Sequence, residues 1–484
     1  MWQHKVKALN AQFAELLTHY GVPGGSAALV FKQESHALAW GRRCVSSPDK
    51  VSTDTLFDIG SCSKAFVATA VAQLVGEGRL TFDDRVQEYL PEFELDRDWI
   101  TEDVRIRDLL CNRLGLRRQV PVESFANINF SPTDIFGRVK YLDRSSPFRS
   151  CYGYFNPGFM ACAAIVERVA GLPYSEYLSG KLFAPLGMAR TLSGNRAQEC
   201  DNRAVAHGTV ADRWVPLDHP VFQSWQGAGG IFSTAGDACQ WLRFQLSDGK
   251  AFPGVIAATA LKATHQPHTL IPDSECGLMH RPPLSQFCLY CLGWWTTHFH
   301  GYRLVQHDGG AVGWRAHTAF IPEAGVGVAV YVNAGQPITA AISYHMLECL
   351  LGKTPDDWRQ VENKLAAQTE ARMRGTLNQL FPYRQGEAPH FDWSDYAGSY
   401  RHPAVGKLVV EHLGDGQLLL KLEDGRLWDM SLSHLGGEIF ESRFIDPGAR
   451  CYLQQPSRVA FEVEGDRIIG LNDLNARYRR ETAQ

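Results

Sequence analysis

The sequence predicts an α/β (α+β) protein in two parts: a large domain with an antiparallel sheet and a helical subdomain, then a small antiparallel β-barrel. Three observations carry this expectation. Strand-like segments stand early (24–43) and late (302–333) with helical patterns between them, so one sheet is assembled from both ends of the first domain. Beyond the stretch PYRQGEAPHFDWS the chain turns into short strands separated by Gly, Asp or Pro. A chain of 484 residues also exceeds what one core usually holds. The expected divisions are 1–353 for the large domain, 354–389 for a helical linker and 390–484 for the barrel.

The elements follow in order. MWQHKVKALNAQFAELLTHYG places Val6, Leu9, Phe13, Leu16 and Leu17 at helical spacing, an amphipathic surface helix. GGSAALVFKQESHALAWGRR reads as two strands around a turn at 33–35. FDIGSCSKAFVATAVAQL passes from a strand end through a turn into a helix that is apolar nearly all round, and therefore buried. NPGFMACAAIVERVAG is a helix with Pro157 just inside its start and Gly171 closing it. YRLVQH, WRAHTAFIP and VGVAVYVN are late strands, and a helix after Pro337 runs toward Gly352. The polar stretch 354–380 is helical. After the boundary, YAGSYRH, KLVVEHL, QLLLKL, RLWDMSL, EIFESRF, RCYLQ, RVAFEVE and RIIGLNDLNARYR are the barrel strands.

Composition excludes several functions. A formal net charge of −4 offers no basic footprint for nucleic acid. No apolar run approaches the roughly 20 residues that span a membrane. The N-terminal helix lacks the continuous apolar core of a signal peptide, so a cytoplasmic location is expected. The 12 cysteines are scattered, and free buried thiols are the expectation. Cys288 and Cys291 in FCLYCLGWW form a C-x-x-C pair near His298 and His300, but the spacing of the second half fits no usual zinc site, and the segment reads as an apolar strand. No metal and no cofactor is expected.

The turn at Ser61 poses the chemical question. Serine is a preferred helix cap, which explains Ser61 but not Lys64. Lys64 stands one turn along the same face, at the helix end where the macrodipole disfavours positive charge. A lysine at the mouth of a buried helix needs partners or work. Ser61 as nucleophile and Lys64 as its activator supply that work. Tyr154 and Asn156 in CYGYFNPG, and His307 with Gly309 and Gly310 in VQHDGGAVGW, are the further candidates. Each alone reads as ordinary structure: a packed tyrosine, an Asn cap before Pro157, a strand-end turn.

Together, in this order, they resemble the serine β-lactamase and penicillin-binding-protein superfamily, whose signature is S-x-x-K, a second loop motif and a third on a strand. The likeness is to the class C branch and its esterase and D-peptidase relatives, with Y-x-N and H-x-G as second and third motifs. Here these are Ser61 to Lys64, Tyr154 to Asn156 and His307 to Gly309. GGIFSTAGDACQWLRF and LLCNRLGL are softer echoes, and the resemblance runs from the N-terminus to about Gly352. The chain departs from it at His307, where a β-lactamase carries lysine, and at Asn112 and Leu114, where relatives often carry histidine and a small hydroxyl residue. The terminal part is similar to the lipocalin-like barrel of some D-aminopeptidases and of penicillin-binding-protein-type thioesterases.

The resemblance implies roles. Ser61 attacks an ester or amide carbonyl, Lys64 and Tyr154 move its proton, and Asn156 orients Lys64 and substrate. His307 and Gly309 line the substrate site, His307 steering a carboxylate or polarising Tyr154. The amides of Ser61 and Gly310 form the oxyanion hole. It implies a hydrolase of small-molecule or peptide-like substrates, D-amino acid-containing ones included, with an acyltransferase or peptide macrocyclase as the alternative. A silent binding module of the same fold is the third reading. Oligomeric state stays open. Arg477, Arg479 and Arg480 in the last strand are candidate carboxylate donors beside the cleft.

Overall fold

A computed structural model describes residues 2–116, 130–211, 213–217, 225–279, 287–422, 429–446, 450, 457–474 and 476–481. The first part is built on β1 (Gly24–Phe31), β2 (Glu34–Gly41) and a late run of β8 (Thr269–Ile271), β9 (Cys288–Tyr290), β10 (Trp295–Phe299), β11 (Tyr302–Ala311), β12 (Trp314–Ile321) and β13 (Val326–Val332). These form one eight-stranded sheet in the order β2-β1-β13-β12-β11-β10-β9-β8. Its strand pairs are antiparallel throughout, and β1 joins β13 from Gly25 opposite Val332 to Phe31 opposite Val326. The early and late strands thus meet in mid-sheet.

Helices cover both faces. Alternate residues of β1 and β13 point to opposite sides, and both strands are buried along nearly their whole length. On one side Leu29, Val328, Val330 and Val332 pack with Leu9, Phe13 and Leu17 of α1 (Trp2–Tyr20). On the other, Ala28, Val30, Ala329 and Tyr331 join the core containing α2 (Lys64–Gly76), α3 (Asn156–Ala170) and α4 (Ala235–Leu246). α2 shows a buried residue at every position from Lys64 to Leu74, as its all-round apolarity requires. Short strands β3 (Phe57–Asp58), β4 (Leu192–Ser193) and β7 (Ile231–Ser233) make a three-stranded sheet beside the start of α2, in the order β3-β7-β4. β5 (His207–Val210) and β6 (Arg213–Pro216) pair separately.

α5 (Thr339–Leu350) packs on the α1 side, and α6 (Trp358–Leu380) follows with Trp358 buried in the same core. The second part is a closed antiparallel barrel of eight strands in simple sequence order. They are β14 (Gly398–His402), β15 (Gly406–Gly414), β16 (Gln417–Leu422), β17 (Met430–Gly436), β18 (Ile439–Phe444), β19 (Ser457–Glu464), β20 (Arg467–Asn472) and β21 (Arg477–Arg480). Closure pairs β14 with β21, Tyr400 opposite Arg480. The β14–β15 turn is buried at Ala404 and Val405, and Arg138 of the large domain donates to the Pro403 carbonyl at 3.2 Å.

Several local expectations are corrected. RIIGLNDLNARYR is two strands, because the Asp473 amide bonds back to the Ala476 carbonyl in a turn. Most of RCYLQ lies outside the described residues. FCLYCLGWW is also not one strand: the chain breaks after Tyr290 and turns at Gly293, whose φ is +73°. His307 does not end a strand either, since β11 continues through Ala311. Arg477 pairs with Glu462 at 2.7 Å and Arg480 donates to the Ala397 carbonyl at 2.7 Å, so both are engaged within the barrel. Among the described residues, every cysteine is a free thiol and no helix is long and apolar enough to cross a membrane.

Candidate active site

Ser61 lies on a 3₁₀ turn, Gly60–Ser63, that feeds directly into α2. The turn is held from several sides. The Asp58 carboxylate accepts from the Gly60 amide at 2.8 Å, the Ile59 amide donates to the Ile231 carbonyl, and the Ser63 hydroxyl accepts from the Ile231 amide. Neither the turn nor α2 has a side-chain cap, so the Ser61 hydroxyl is not spent on capping. Within Gly60–Lys64, Ser61 alone keeps partial exposure.

Lys64 is fully buried, and its Nζ stands 2.9 Å from Ser61 Oγ while donating to the Ala228 carbonyl at 2.7 Å. Its Nζ lies 4.8 Å from the Tyr154 ring centre and 5.3 Å from that of Phe159. Ala228 stands in a glycine-rich turn immediately before GGIFSTAGDACQWLRF. Gly227 has φ +90° there, and a Cβ on it would lie 2.4 Å from the Phe159 carbonyl, so only glycine lets this turn lie against α3.

Tyr154 is half-buried in the loop before α3. Asn156 is the first residue of that helix and does not cap it; its Oδ1 is buried and has no hydrogen-bond partner among the described residues. A buried amide oxygen left open in this way suits a role toward Lys64 or a ligand rather than the capping role its position suggested.

His307 is fully enclosed. Its Nδ1 is 2.6 Å from the Asp308 carbonyl, its Nε2 is 3.1 Å from the Tyr290 hydroxyl, and the Trp295 ring stacks on it at 4.4 Å. Burial, with the nearby Lys64, pushes its pKa down to about 3, so the ring is neutral. A neutral ring with both nitrogens engaged has no charge with which to steer a carboxylate. Its relation to Tyr154 is ring proximity, 6.3 Å between centres.

The glycines of the third motif admit the protein's own backbone. A Cβ on Gly309 would stand 2.0 Å from the Ile59 carbonyl, and one on Gly60 would stand 2.6 Å from the Gly310 amide nitrogen. The strand edge at Gly310 is thereby pressed against the turn that carries Ser61, which brings the two candidate oxyanion donors to one place. Cys62 points away: its Sγ donates to the His307 carbonyl at 3.2 Å, and burial pushes its thiol pKa far up.

Gly293, Tyr290 and Trp295 join the site without standing out as candidates in the sequence, and Asn112, which stands out there only as a departure from the family pattern, has a structural role. Asn112, with φ +55°, accepts from the Phe155 amide at 2.9 Å through Oδ1 and from the Gly153 amide through its own carbonyl, and so clamps the Tyr154 loop. Gly293 donates to the Leu110 carbonyl, and a Cβ on it would lie 2.6 Å from the Lys64 carbonyl. Tyr290 and Trp295 hold His307. The signal available was LLCNRLGL and CLYCLGWW themselves, polar or glycine positions inside apolar runs. Among the described residues no group of three or more His, Cys, Asp or Glu is placed to hold a metal ion.

Comparison with known proteins agrees with this architecture. A family model described as Beta-lactamase matches residues 9–349. An unguisins hydrolase of Aspergillus campestris is 27% identical over 425 residues, covering 83% of this chain and 78% of that protein. The octameric penicillin-binding protein homologue from Pyrococcus abyssi superposes with a TM-score of 0.65 at 22% identity, over 98% of this chain and 99% of the other. A class C beta-lactamase structure superposes with a TM-score of 0.58 at 18% identity, over 71% and 96%. With the three motifs gathered at one turn and the family model spanning most of the chain, this protein belongs to the Beta-lactamase family.

Proposed function

We propose that the protein is a serine hydrolase that acts through an acyl-enzyme on ester or amide bonds of peptide-like substrates. The observation that carries this reading is the 2.9 Å approach of Lys64 Nζ, itself fully buried, to Ser61 Oγ, on a residue that keeps partial exposure. A serine is a weak nucleophile until a neighbouring base takes its proton, and a desolvated lysine is suited to that task. Tyr154, over whose ring the amine lies, is the group to relay the proton toward the leaving atom. The amides of Ser61 and Gly310 would receive the developing oxyanion. Likeness to an unguisins hydrolase supports hydrolysis as the reaction.

The test is mass spectrometry of the protein after treatment with activated esters, with and without added amines. The expected result is one acyl adduct on Ser61 that Ser61→Ala abolishes while the fold persists. Labelling that survives on another residue, Cys62 being the nearest rival, would sink the assignment. Amide products formed in the presence of amines would identify the enzyme as an acyltransferase instead.

A further inference from the structure

We infer that Tyr290 is a positioning residue of this site: its hydroxyl fixes the orientation and tautomer of His307, and through His307 the backbone that presents the Gly310 amide. The inference rests on the acyl-enzyme reading for its kinetic consequence, but not for its geometry.

The hydrogen-bond roles follow by elimination. A carbonyl oxygen can only accept, so His307 Nδ1, 2.6 Å from the Asp308 carbonyl, carries the proton. The buried ring is neutral, so Nε2 is a bare acceptor. The Tyr290 hydroxyl at 3.1 Å must then donate to it. Burial holds the phenol protonated, far above its ordinary range, which keeps it a donor. The chain runs in one direction: Tyr290 O–H to His307 Nε2, His307 Nδ1–H to the Asp308 carbonyl. That carbonyl belongs to the peptide next to Gly309, whose backbone presses on Ile59 and leads into the Gly310 amide.

The same tyrosine touches the other motif. Asn112 Nδ2 is buried, closes no hydrogen bond among the described residues, and lies near enough to the Tyr290 hydroxyl to offset part of the effect of burial. Asn112 Oδ1 in turn holds the Phe155 amide beside Tyr154. Tyr152 packs on the Tyr290 ring at 5.5 Å, and Trp295 crosses it edge-on at 6.3 Å. Tyr290 therefore stands between the Tyr154 loop and the His307 strand. The titratable groups around the histidine ring are Lys64, Cys62, Tyr154, Tyr290, Asp308 and His317.

The test uses the full chain, labelled with ¹⁵N-histidine, and His307→Gln to assign the His307 signals. Wild type should show a neutral ring protonated at Nδ1, with a hydrogen-bonded Nε2. In Tyr290→Phe the Nε2 resonance should move toward that of a free imine nitrogen. The kcat for acylation by p-nitrophenyl butyrate should fall about tenfold with KM unchanged, since a displaced oxyanion donor acts in the transition state. Trp295→Leu removes the stacked ring but keeps the donor, and should leave Nε2 hydrogen-bonded. An imidazolium or an Nε2–H tautomer in wild type overturns the proposal even if Tyr290→Phe does not fold. So does an unmoved Nε2 signal in a folded Tyr290→Phe. The resonance measurements need no turnover, so a failure of Ser61 to acylate would be seen separately from a failure here.

Discussion

The two β-structures of this chain are made in opposite ways. The barrel joins each strand to its sequence neighbour and then closes, β14 to β21, so that every strand edge is paired. The eight-stranded sheet remains open, and it seats an early hairpin against a strand that arrives about 300 residues later: Gly25 lies opposite Val332. The second arrangement brings distant segments together, and the candidate site draws on it. Ser61 and Lys64, the Tyr154 loop, the Ala228 turn and the His307 strand come from four separated parts of the sequence. A barrel of nearest neighbours satisfies its own backbone and offers no such junction. Sites of this kind form where long-range connections leave several loops facing one another.

Removing a member of the site should have the largest effect. Lys64→Ala and Tyr154→Phe are each expected to slow acylation by about 10²–10⁴-fold. The double variant should be far from multiplicative, since the two groups handle one proton. Losses that simply multiply, read by stopped-flow acylation, would uncouple Lys64 from Tyr154.

Glycine substitutions sharpen the comparison between the two parts. Gly309→Ala drives a methyl group into the Ile59 carbonyl, and should destabilise the protein by about 2–3 kcal/mol while displacing the Ser61 turn and its acylation. Gly465 in the barrel has φ +58° and nothing within 4 Å of where a Cβ would stand. Its alanine variant should lose about 1 kcal/mol from left-handed backbone strain alone, with acylation intact. Urea midpoints together with acylation rates check both, and equal losses of activity would erase the distinction.

Acid provides the most graded test, since its effect builds with each pH unit. His265, buried beside Trp294 and bonded to Gln245 at 2.8 Å, has its pKa pushed down to about 3 by burial. Its folded value lies below the unfolded value near 6.5. Below that pH the unfolded chain takes up a proton that the folded chain refuses, so stability falls as pH drops from 6.5 toward 3. His265→Gln should flatten the stability slope between pH 6 and 4 by about 1.4 kcal/mol per unit. His402 of the barrel, half-buried and shifted in the same direction, should flatten it less when replaced by Gln. Denaturant titrations across this range measure both slopes.

Much of this was legible beforehand because it depends on local pattern. The all-round apolarity after Lys64 marks a buried helix, Pro157 and Gly171 bracket α3, and alternating short runs mark the barrel. The candidate residues were legible because a lysine one turn after a serine at a buried helix start is chemically costly. Tyr290, Trp295 and Ala228 were not, because an aromatic residue in an apolar strand or a carbonyl in a glycine turn looks the same whether or not it meets the site. His307 was found, but its environment was not: nothing in VQHDGG reveals that Trp295 covers the ring or that burial keeps it neutral.

By itself, then, the sequence determined the two-part division into mixed and all-β structure, the helix that starts behind Ser61, and the side chains that cluster around it. Hydrophobic periodicity and turn residues act over a few residues and can be read in order. Only the tertiary structure decided that Ser61 stays free of a cap, that Lys64 leans on Ala228, that Gly309 yields to Ile59 rather than to a ligand, and that His307 is a neutral hub. These depend on distance and burial between segments far apart in the chain, and desolvation, unlike periodicity, has no local signature.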